Sequence, residues 1–133
     1  MKWGKHKREE LAWAAGFFDG EGTTGAYSCP SRTTDGCSIR MAVSQVKKEP
    51  LERFHHAILG IGTIWCRAER SKTNQKPEFI WRVQTWKDCQ AVIGLLWTFL
   101  SEVKREQIMK ALEKYKNSPS WGRNGRGRPK RQA

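Results

Sequence analysis

The chain has 133 residues, a length that suits a single compact domain. Hydrophobic residues make up 38% and charged residues 29%, with seven tryptophans, so the chain can build a core and does not have a disordered composition. Its longest apolar run, residues 91–97, is far shorter than the roughly 20 residues that cross a bilayer. The basic N-terminus also lacks the apolar stretch of a signal peptide, and we therefore expect an intracellular protein that is neither secreted nor membrane-bound.

The formal net charge of +12 is concentrated at the two ends of the chain. Residues 1–8 carry four Lys or Arg and residues 117–133 carry five, with no acid in either segment, whereas the body between them has 16 bases and 13 acids. Basic tails neutralise phosphates and release counterions whatever the nucleotide sequence. Since neither tail is patterned as an amphipathic helix, a nucleic acid is favoured over an anionic membrane as the partner.

The four cysteines do not have the spacing of a metal site. Cys29, Cys37, Cys66 and Cys89 include no C-x-x-C pair, and the three histidines share no ligand spacing with them. Disulfides would need an oxidising compartment, for which the sequence has no signal. Buried or incidental thiols are therefore favoured over zinc ligands.

The first half of the body alternates between helical and strand-like patterns. A first helix should start near Glu9, where acids favour the positive helix end, and should end at the acids and glycines of residues 19–22. Residues 23–28 and the cleanly alternating residues 38–45 predict a hairpin with one buried and one polar face. Pro50 is well placed as the first residue of a second helix.

The second half repeats the strand pattern and then continues with two helices. Residues 63–69 and 79–84 alternate between apolar and polar side chains, which predicts a second hairpin. Thr85 and Asp88 fit the capping pattern of a third helix, and residues 101–116 predict a fourth. The fold class is therefore α+β, with two hairpins forming a four-stranded antiparallel sheet that is covered by helices on one face.

We expect three segments: a basic N-terminal arm at 1–8, a folded domain at 9–116 and a basic, flexible tail at 117–133.

The uncovered face of the predicted sheet is rich in arginine. Arg predominates there over Lys, and aromatic residues are interleaved with it. Alternation alone fits a solvated face as well as a binding surface. The planar fork of Arg, which can bond guanine through two hydrogen bonds, favours nucleic acid.

The first predicted helix combines small residues with acids. Ala12, Ala15 and Gly16 are three or four residues apart and would let a second helix approach closely. Asp19 and Glu21 lie in a glycine-bracketed turn at the helix end. A small-residue core helix with a polar end is the structural alternative. Acids at that end oppose the helix dipole, however, and this stability cost indicates a functional reason.

Residues 14–22, AAGFFDGEG, resemble the nine-residue signature of the LAGLIDADG homing endonucleases. They keep its Ala-Gly pair, its Asp, its second acid and its final Gly, while Ala14 departs from the Leu of the signature and Glu21 is a common family variant. The order of helices and hairpins over residues 8–116 is also similar to that of the family. The resemblance implies the αββαββα homing-endonuclease fold.

By position, the resemblance also implies an active site that uses a divalent metal. Glu21 matches the metal-binding acid of the family, and the backbone carbonyl of Gly20 matches a second ligand. Gln45 resembles the polar residue that positions water, and Lys104 resembles the active-site lysine, with Lys48 as a weaker candidate. Mg²⁺ suits such oxygen ligands, and we expect Mn²⁺ to substitute for it.

Family members with a single signature are homodimers, and a twofold dimer reads a near-palindromic site. The implied dimer interface contains Ala12, Ala15, Gly16 and Asp19, of which Asp19 is interpreted as structural support. The sheet would enter the major groove. The residues predicted to contact DNA there are Tyr27, Arg32, Ser38, Arg40, Trp65, Arg67, Glu69, Arg82 and Gln84.

The C-terminal segment contains Arg126-Gly127-Arg128-Pro129, which resembles the core of an AT-hook. Arginines flanking a glycine suit a narrow A·T minor groove, so Arg126 and Arg128 are predicted DNA contacts. The alternative is a basic tail that binds any phosphate.

The resemblance therefore implies a site-specific double-strand DNA endonuclease, intron-encoded or otherwise mobile, that acts with DNA in the cytoplasm, nucleoid or an organelle. Two alternatives remain open. One is a maturase that binds its own intron RNA, because a basic sheet face also suits structured RNA. The other is a catalytically silent DNA-binding protein of the same fold, against which the intact Glu21, Gln45 and Lys104 argue.

Overall fold

A computed structural model describes residues 4–28, 37–67 and 77–118. The elements in chain order are α1 (Gly4–Glu21), β1 (Gly22–Ser28), β2 (Cys37–Gln45), α2 (Lys48–Ala57), β3 (Thr63–Arg67), β4 (Glu78–Val83), α3 (Trp86–Leu96), a 3₁₀ turn (Trp97–Phe99) and α4 (Glu102–Lys116). This order and the α+β class confirm the prediction. No helix in these described ranges is long and apolar enough to span a membrane.

Two helices begin earlier than predicted. α1 begins at Gly4 and not near Glu9, because Lys and Arg are almost as good helix formers as Ala and the basic stretch continues the helix. α2 begins at Lys48 and not at Pro50. Proline fits there because the first-turn N–H groups of a helix have no partner within the helix, so its missing N–H removes no helical bond.

The four strands form one antiparallel sheet in the order β1-β2-β4-β3. On β2, Ile39, Met41 and Val43 are buried, whereas Ser38 and Arg40 alternate with them on the other face. The buried face packs against apolar residues of all four helices, so the predicted single helical layer is confirmed. The second face of the sheet is left for solvent or a ligand.

The core joins the sheet to the helices through large side chains. Phe54 of α2 meets Trp81 of β4 edge-on, with ring centroids 4.8 Å apart, and also stacks on Phe18 of α1. The Trp81 indole donates to the Ile61 carbonyl, 2.9 Å away, which satisfies the polar atom of a fully buried ring. These contacts hold the C-terminal half of α1 against the sheet.

Side-chain caps fix the starts of the last two helices. The Thr85 hydroxyl accepts a hydrogen bond from the Asp88 N–H at 3.1 Å, as the capping pattern predicts. Ser101 does the same for α4 by accepting from the Lys104 N–H at 3.2 Å.

Cys89, in α3, is a buried free thiol, and burial raises its pKa to about 12.

Candidate active site

The junction between α1 and β1 brings two of the predicted catalytic residues together. Glu21 is the last residue of α1, and Gln45 is the last residue of β2. Because Gly22 pairs with Val43 across the antiparallel sheet, the end of β2 lies beside the end of α1. The Gln45 amide donates to the exposed Glu21 carboxylate, with 3.2 Å between Nε2 and Oε1.

Lys104 approaches the same junction from α4. Its Nζ donates to the Gly22 carbonyl at 2.9 Å and to Gln107 Oε1 at 3.1 Å, and the residue is only 7% exposed. Gly22 has to be a glycine here, because a Cβ would overlap the ring of Phe18. Gln45 thus contacts Glu21, and Lys104 contacts the carbonyl of the next residue, Gly22, so both residues reach the α1–β1 junction from distant parts of the sequence.

Lys48 does not take part in these contacts. It is exposed at the first turn of α2 and forms an ion pair with Glu52 of the same helix, with 3.7 Å between the charged atoms. An exposed pair of this kind contributes little to stability. Among the two candidate lysines, the structure therefore brings Lys104 to the α1–β1 junction and leaves Lys48 in its own helix.

Asp19 faces a different neighbour from Glu21. Its Oδ1 accepts from both the N–H and the hydroxyl of Ser101, at 3.1 and 2.9 Å. Ser101 is the N-cap of α4, so the carboxylate lies at the positive end of that helix. The unfavourable position of Asp19 at the end of α1 is thereby offset at the start of α4.

The donor atoms at the end of α1 suit a hard divalent cation. The Glu21 carboxylate is exposed, and the Gly20 carbonyl belongs to the last helical turn, whose carbonyls lack helical partners. Both are oxygen ligands of the type that Mg²⁺ prefers. Within residues 4–28, 37–67 and 77–118, no group of three His, Cys, Asp or Glu side chains converges on a metal site.

The exposed face of α1 carries a row of small residues. Ala12, Gly16 and Gly20 are exposed at intervals of four, and a Cβ added to either glycine would meet no atom of the described residues within 4 Å. The prediction that Ala15 shares this face was wrong, because Ala15 is fully buried in the chain's own core. A step of one residue turns the helix by about 100°, which separates Ala15 from Gly16.

Three arginines of the open sheet face are held in different ways. Arg40 lies over the ring of Tyr27, 4.6 Å from its centroid, and its buried Nε has no hydrogen-bond partner among the residues that the structure describes. Arg82 lies over Trp65 at 5.2 Å. Arg67 instead pairs with a carboxylate on the neighbouring strand, Glu78, at 3.5 Å. The aromatic rings orient two guanidinium groups without neutralising them.

Other predicted DNA contacts have simpler positions or are not described. Ser38 pairs with Tyr27 across β1 and β2, and Gln84 is exposed directly after β4. The predicted contacts that lie outside the described residues are Arg32, Glu69, Arg126 and Arg128.

Three residues that contact the predicted site residues are not themselves predicted from the sequence. Gln107 is one helical turn after Lys104, and this i, i+3 spacing could have indicated the contact between their side chains. Ser101 is predicted as the start of a helix but not as the partner of Asp19. Glu78 could not have been found without the strand register that places it opposite Arg67.

No protein-family model and no curated protein matches the chain. Several solved structures are similar to it. The homing endonuclease I-CvuI in complex with its target is 23% identical and has a TM-score of 0.66, with 86% of this chain and 70% of that chain covered. The archaeal intron-encoded homing endonuclease I-Vdi141I, complexed with DNA, is 16% identical and has a TM-score of 0.63, with 97% and 91% covered. The LAGLIDADG homing endonuclease I-GzeII, in complex with its DNA target, is 17% identical at a TM-score of 0.57, with 85% and 40% covered.

These similarities define the class of fold. The chain has the fold of the LAGLIDADG homing endonucleases, with four helices and a four-stranded antiparallel sheet. It spans most of I-CvuI and I-Vdi141I but 40% of I-GzeII. I-CvuI has been solved with its target in the presence of 2 mM Ca, and with a second target in the presence of 2 mM Mg, where that DNA was not cleaved.

Proposed function

We propose that the protein is a site-specific double-strand DNA endonuclease that hydrolyses one phosphodiester in each strand of a long, near-palindromic target. The observation that carries this proposal is the convergence of Glu21, Gln45 and Lys104 at the α1–β1 junction. A carboxylate, an amide and a buried ammonium group at one point are the groups that metal-assisted hydrolysis of a phosphodiester needs. Their intact chemistry favours an endonuclease over a catalytically silent DNA-binding protein.

The open sheet face would bind the DNA in the major groove, which is wide enough for β-strands. Arg40 and Arg82 are already oriented by aromatic rings, so binding would cost them less side-chain entropy than free arginines. Bidentate contacts from these groups to guanine would read the sequence. Basic residues elsewhere in the chain would supply contacts to phosphates that do not depend on sequence.

Glu21 and the Gly20 carbonyl would hold Mg²⁺, or Mn²⁺ in its place. When bound, the cation supplies charge neutralisation at the phosphate and a water molecule of lowered pKa. Gln45 restrains the Glu21 carboxylate through its amide N–H, and its amide oxygen remains available to orient a water molecule. The Lys104 ammonium group donates to Gly22 and Gln107 and lies 5.6 Å from the centroid of the Phe18 ring, and it would supply positive charge close to the bound phosphate.

Two copies of the chain would assemble through the small-residue face of α1. The absence of side-chain bulk at Gly16 and Gly20 allows close approach of a second helix, and that approach would bring the two copies of Glu21 near each other. Two carboxylates repel strongly in such a position unless cations lie between them. The resulting twofold symmetry accounts for a near-palindromic target.

Selection of cleaved sites tests this proposal directly. The full-length protein is incubated with a library of randomised double-stranded DNA and Mg²⁺, and fragments with new 5′-phosphate ends are captured and sequenced; EDTA in place of Mg²⁺ is the control. We expect a single enriched motif with approximate twofold symmetry. Enrichment of bound but uncut DNA in both Mg²⁺ and Mn²⁺ would instead support a silent DNA-binding protein. Failure to enrich any DNA, with binding to structured RNA, would support the maturase.

A further inference from the structure

We propose that Asp19 is a positioning residue that acts through Ser101 to hold Lys104 at the α1–β1 junction. The proposal rests on the endonuclease function above, and it assigns to the first acid of the signature a role distinct from that of Glu21. Asp19 itself contacts neither Glu21 nor Gln45 in the hydrogen bonds of the described residues.

A continuous series of hydrogen bonds connects these residues. Asp19 Oδ1 accepts from the N–H and the hydroxyl of Ser101 at 3.1 and 2.9 Å, and Ser101 Oγ accepts from the Lys104 N–H at 3.2 Å. The Lys104 side chain then returns to the Gly22 carbonyl at 2.9 Å. The series begins at Asp19 and ends at Gly22. It therefore joins the end of α1 to the start of α4 in a closed ring, across 82 positions of sequence.

Electrostatics makes Asp19 the strongest single anchor of this ring. The carboxylate accepts two hydrogen bonds at the start of α4, where the helix dipole is positive, and hydrogen bonds to a charged acceptor are the stronger kind. An amide or a hydroxyl at position 19 could accept a hydrogen bond, but it would bring no charge. Asp19 is therefore suited to fix where α4 begins.

The location of Lys104 makes its ammonium group sensitive to that anchor. Lys104 is the third residue of α4 and belongs to the first turn, which Ser101 caps. A turn without its cap frays first, because its N–H groups have no helical partners. The buried ammonium group needs its acceptors on Gly22 and Gln107, and a shift of about 1 Å in a catalytic group can cost about 100-fold in rate.

A double-mutant cycle on cleavage of the selected target separates positioning from a general structural role. We expect Asp19→Ala to slow single-turnover cleavage at least about tenfold, while DNA affinity in Ca²⁺ changes less than about threefold. In the Lys104→Ala background, the same change should add less than about twofold, because the group that it positions is gone. Asp19→Asn, which keeps an acceptor oxygen, should recover part of the rate. Asp88→Ala, which removes an acid from the first turn of α3, is the matched control and should leave cleavage unchanged.

A second measurement does not depend on catalysis. Mass spectrometry after brief acetylation reports how accessible each lysine is in the full-length protein. We expect Lys104 to react slowly in the wild type and at least about fivefold faster in Asp19→Ala and Ser101→Ala, with Lys110 on the exposed side of α4 unchanged.

The two measurements distinguish the failure of this proposal from the failure of the proposed function. Additive effects of Asp19→Ala and Lys104→Ala on cleavage, together with unchanged acetylation of Lys104, would overturn the positioning role. A wild-type protein that cleaves no DNA would overturn the endonuclease function. In that case, the acetylation of Lys104 would still decide whether Asp19 positions it.

Discussion

Two acids that stand two positions apart in the signature face opposite sides of α1. Two steps of a helix turn the side chain by about 200°, so Asp19 and Glu21 cannot share one neighbour. Asp19 reaches the cap of α4, whereas Glu21 is exposed and meets Gln45 at the end of β2. The chemistry of the two residues is similar, and their different positions on the helix give them different hydrogen-bond partners.

The metal assignment of Glu21 predicts the behaviour of Glu21→Gln. This substitution removes the charge that would hold Mg²⁺ and keeps the size of the side chain and an acceptor for Gln45. We expect cleavage to fall by more than about 100-fold, with DNA affinity in Ca²⁺ reduced far less. Cleavage assays on the selected target check this, with Glu52→Gln, an exposed acid of α2, as the control. Full cleavage by Glu21→Gln at ordinary Mg²⁺ concentrations would show that the metal ligand is another residue.

At the scale of elements, α1 has one buried face and one exposed face. Ala14, Ala15 and Phe18 are fully buried against the sheet and helices of the same chain. Gly16 and Gly20 are exposed and have open space around them. The inward face stabilises the fold, and we propose that the outward face packs against a second helix.

The outward face predicts a separation between folding and assembly. A Cβ at position 16 meets no atom of residues 4–28, 37–67 and 77–118 within 4 Å, and Gly16→Leu replaces a poor helix former, so it should leave the monomer as stable or about 0.5–1 kcal/mol more stable. We expect the same change to prevent dimerisation and, with it, double-strand cleavage. Gly94→Leu is the matched control, because Gly94 lies in α3 and is also exposed with open space. Sedimentation at micromolar concentration measures the assembly state of both variants. A Gly16→Leu dimer, or a wild-type monomer with and without DNA, would refute this interface.

The open sheet face predicts that its arginines are not equivalent. Arg82 is oriented by Trp65, so Arg82→Ala should cost about 1–3 kcal/mol on the selected target and relax specificity at one position. Arg67 has to leave Glu78 before it can contact DNA, and Arg67→Ala should therefore cost less. Competition binding in Ca²⁺ with single-base variants of the target measures both effects. A loss for Arg82→Ala that is uniform across all targets would identify Arg82 as a phosphate contact.

At the scale of the whole molecule, most of the excess positive charge belongs to the two ends of the sequence. The body of the chain is nearly balanced, whereas residues 117–133 carry five Lys or Arg and no acid. We therefore expect the domain at 9–116 to carry out cleavage and base readout, and the basic ends to contribute DNA contacts that depend strongly on salt.

Deletion of residues 119–133 tests this division. All five basic residues of the tail are removed, so affinity should fall and the slope of log K against log salt should flatten by about 0.9 for each phosphate that the tail neutralises in the wild type. Cleavage at saturating protein should be unchanged. If the tail acts as an AT-hook, the decrease in affinity should be larger on targets flanked by A·T than by G·C. An equal decrease on both kinds of target would show that the tail binds phosphates whatever the flanking sequence. An unchanged slope of log K against log salt would show that the tail does not contact DNA.

The sequence alone determined the α+β class, the order of the elements and the two faces of the sheet. These features follow from local patterns: the alternation from Ser38 to Ser44 specifies one buried and one polar face, and Thr85 caps the helix that it precedes. The signature by itself identified Glu21 as the candidate metal-binding acid. The start of α1 could not be read in this way, because basic residues form helices as readily as they form flexible arms.

Only the tertiary structure decided which residues meet. Lys104 reaches Gly22 across 82 positions of sequence, Asp19 reaches Ser101 across the same interval, and Ala15 is turned inward although its neighbour Gly16 faces outward. Periodicity reports the direction of a side chain relative to its own helix or strand. It does not report the neighbouring element that the side chain meets, because that depends on how the helices pack on the sheet and on the register of the strands.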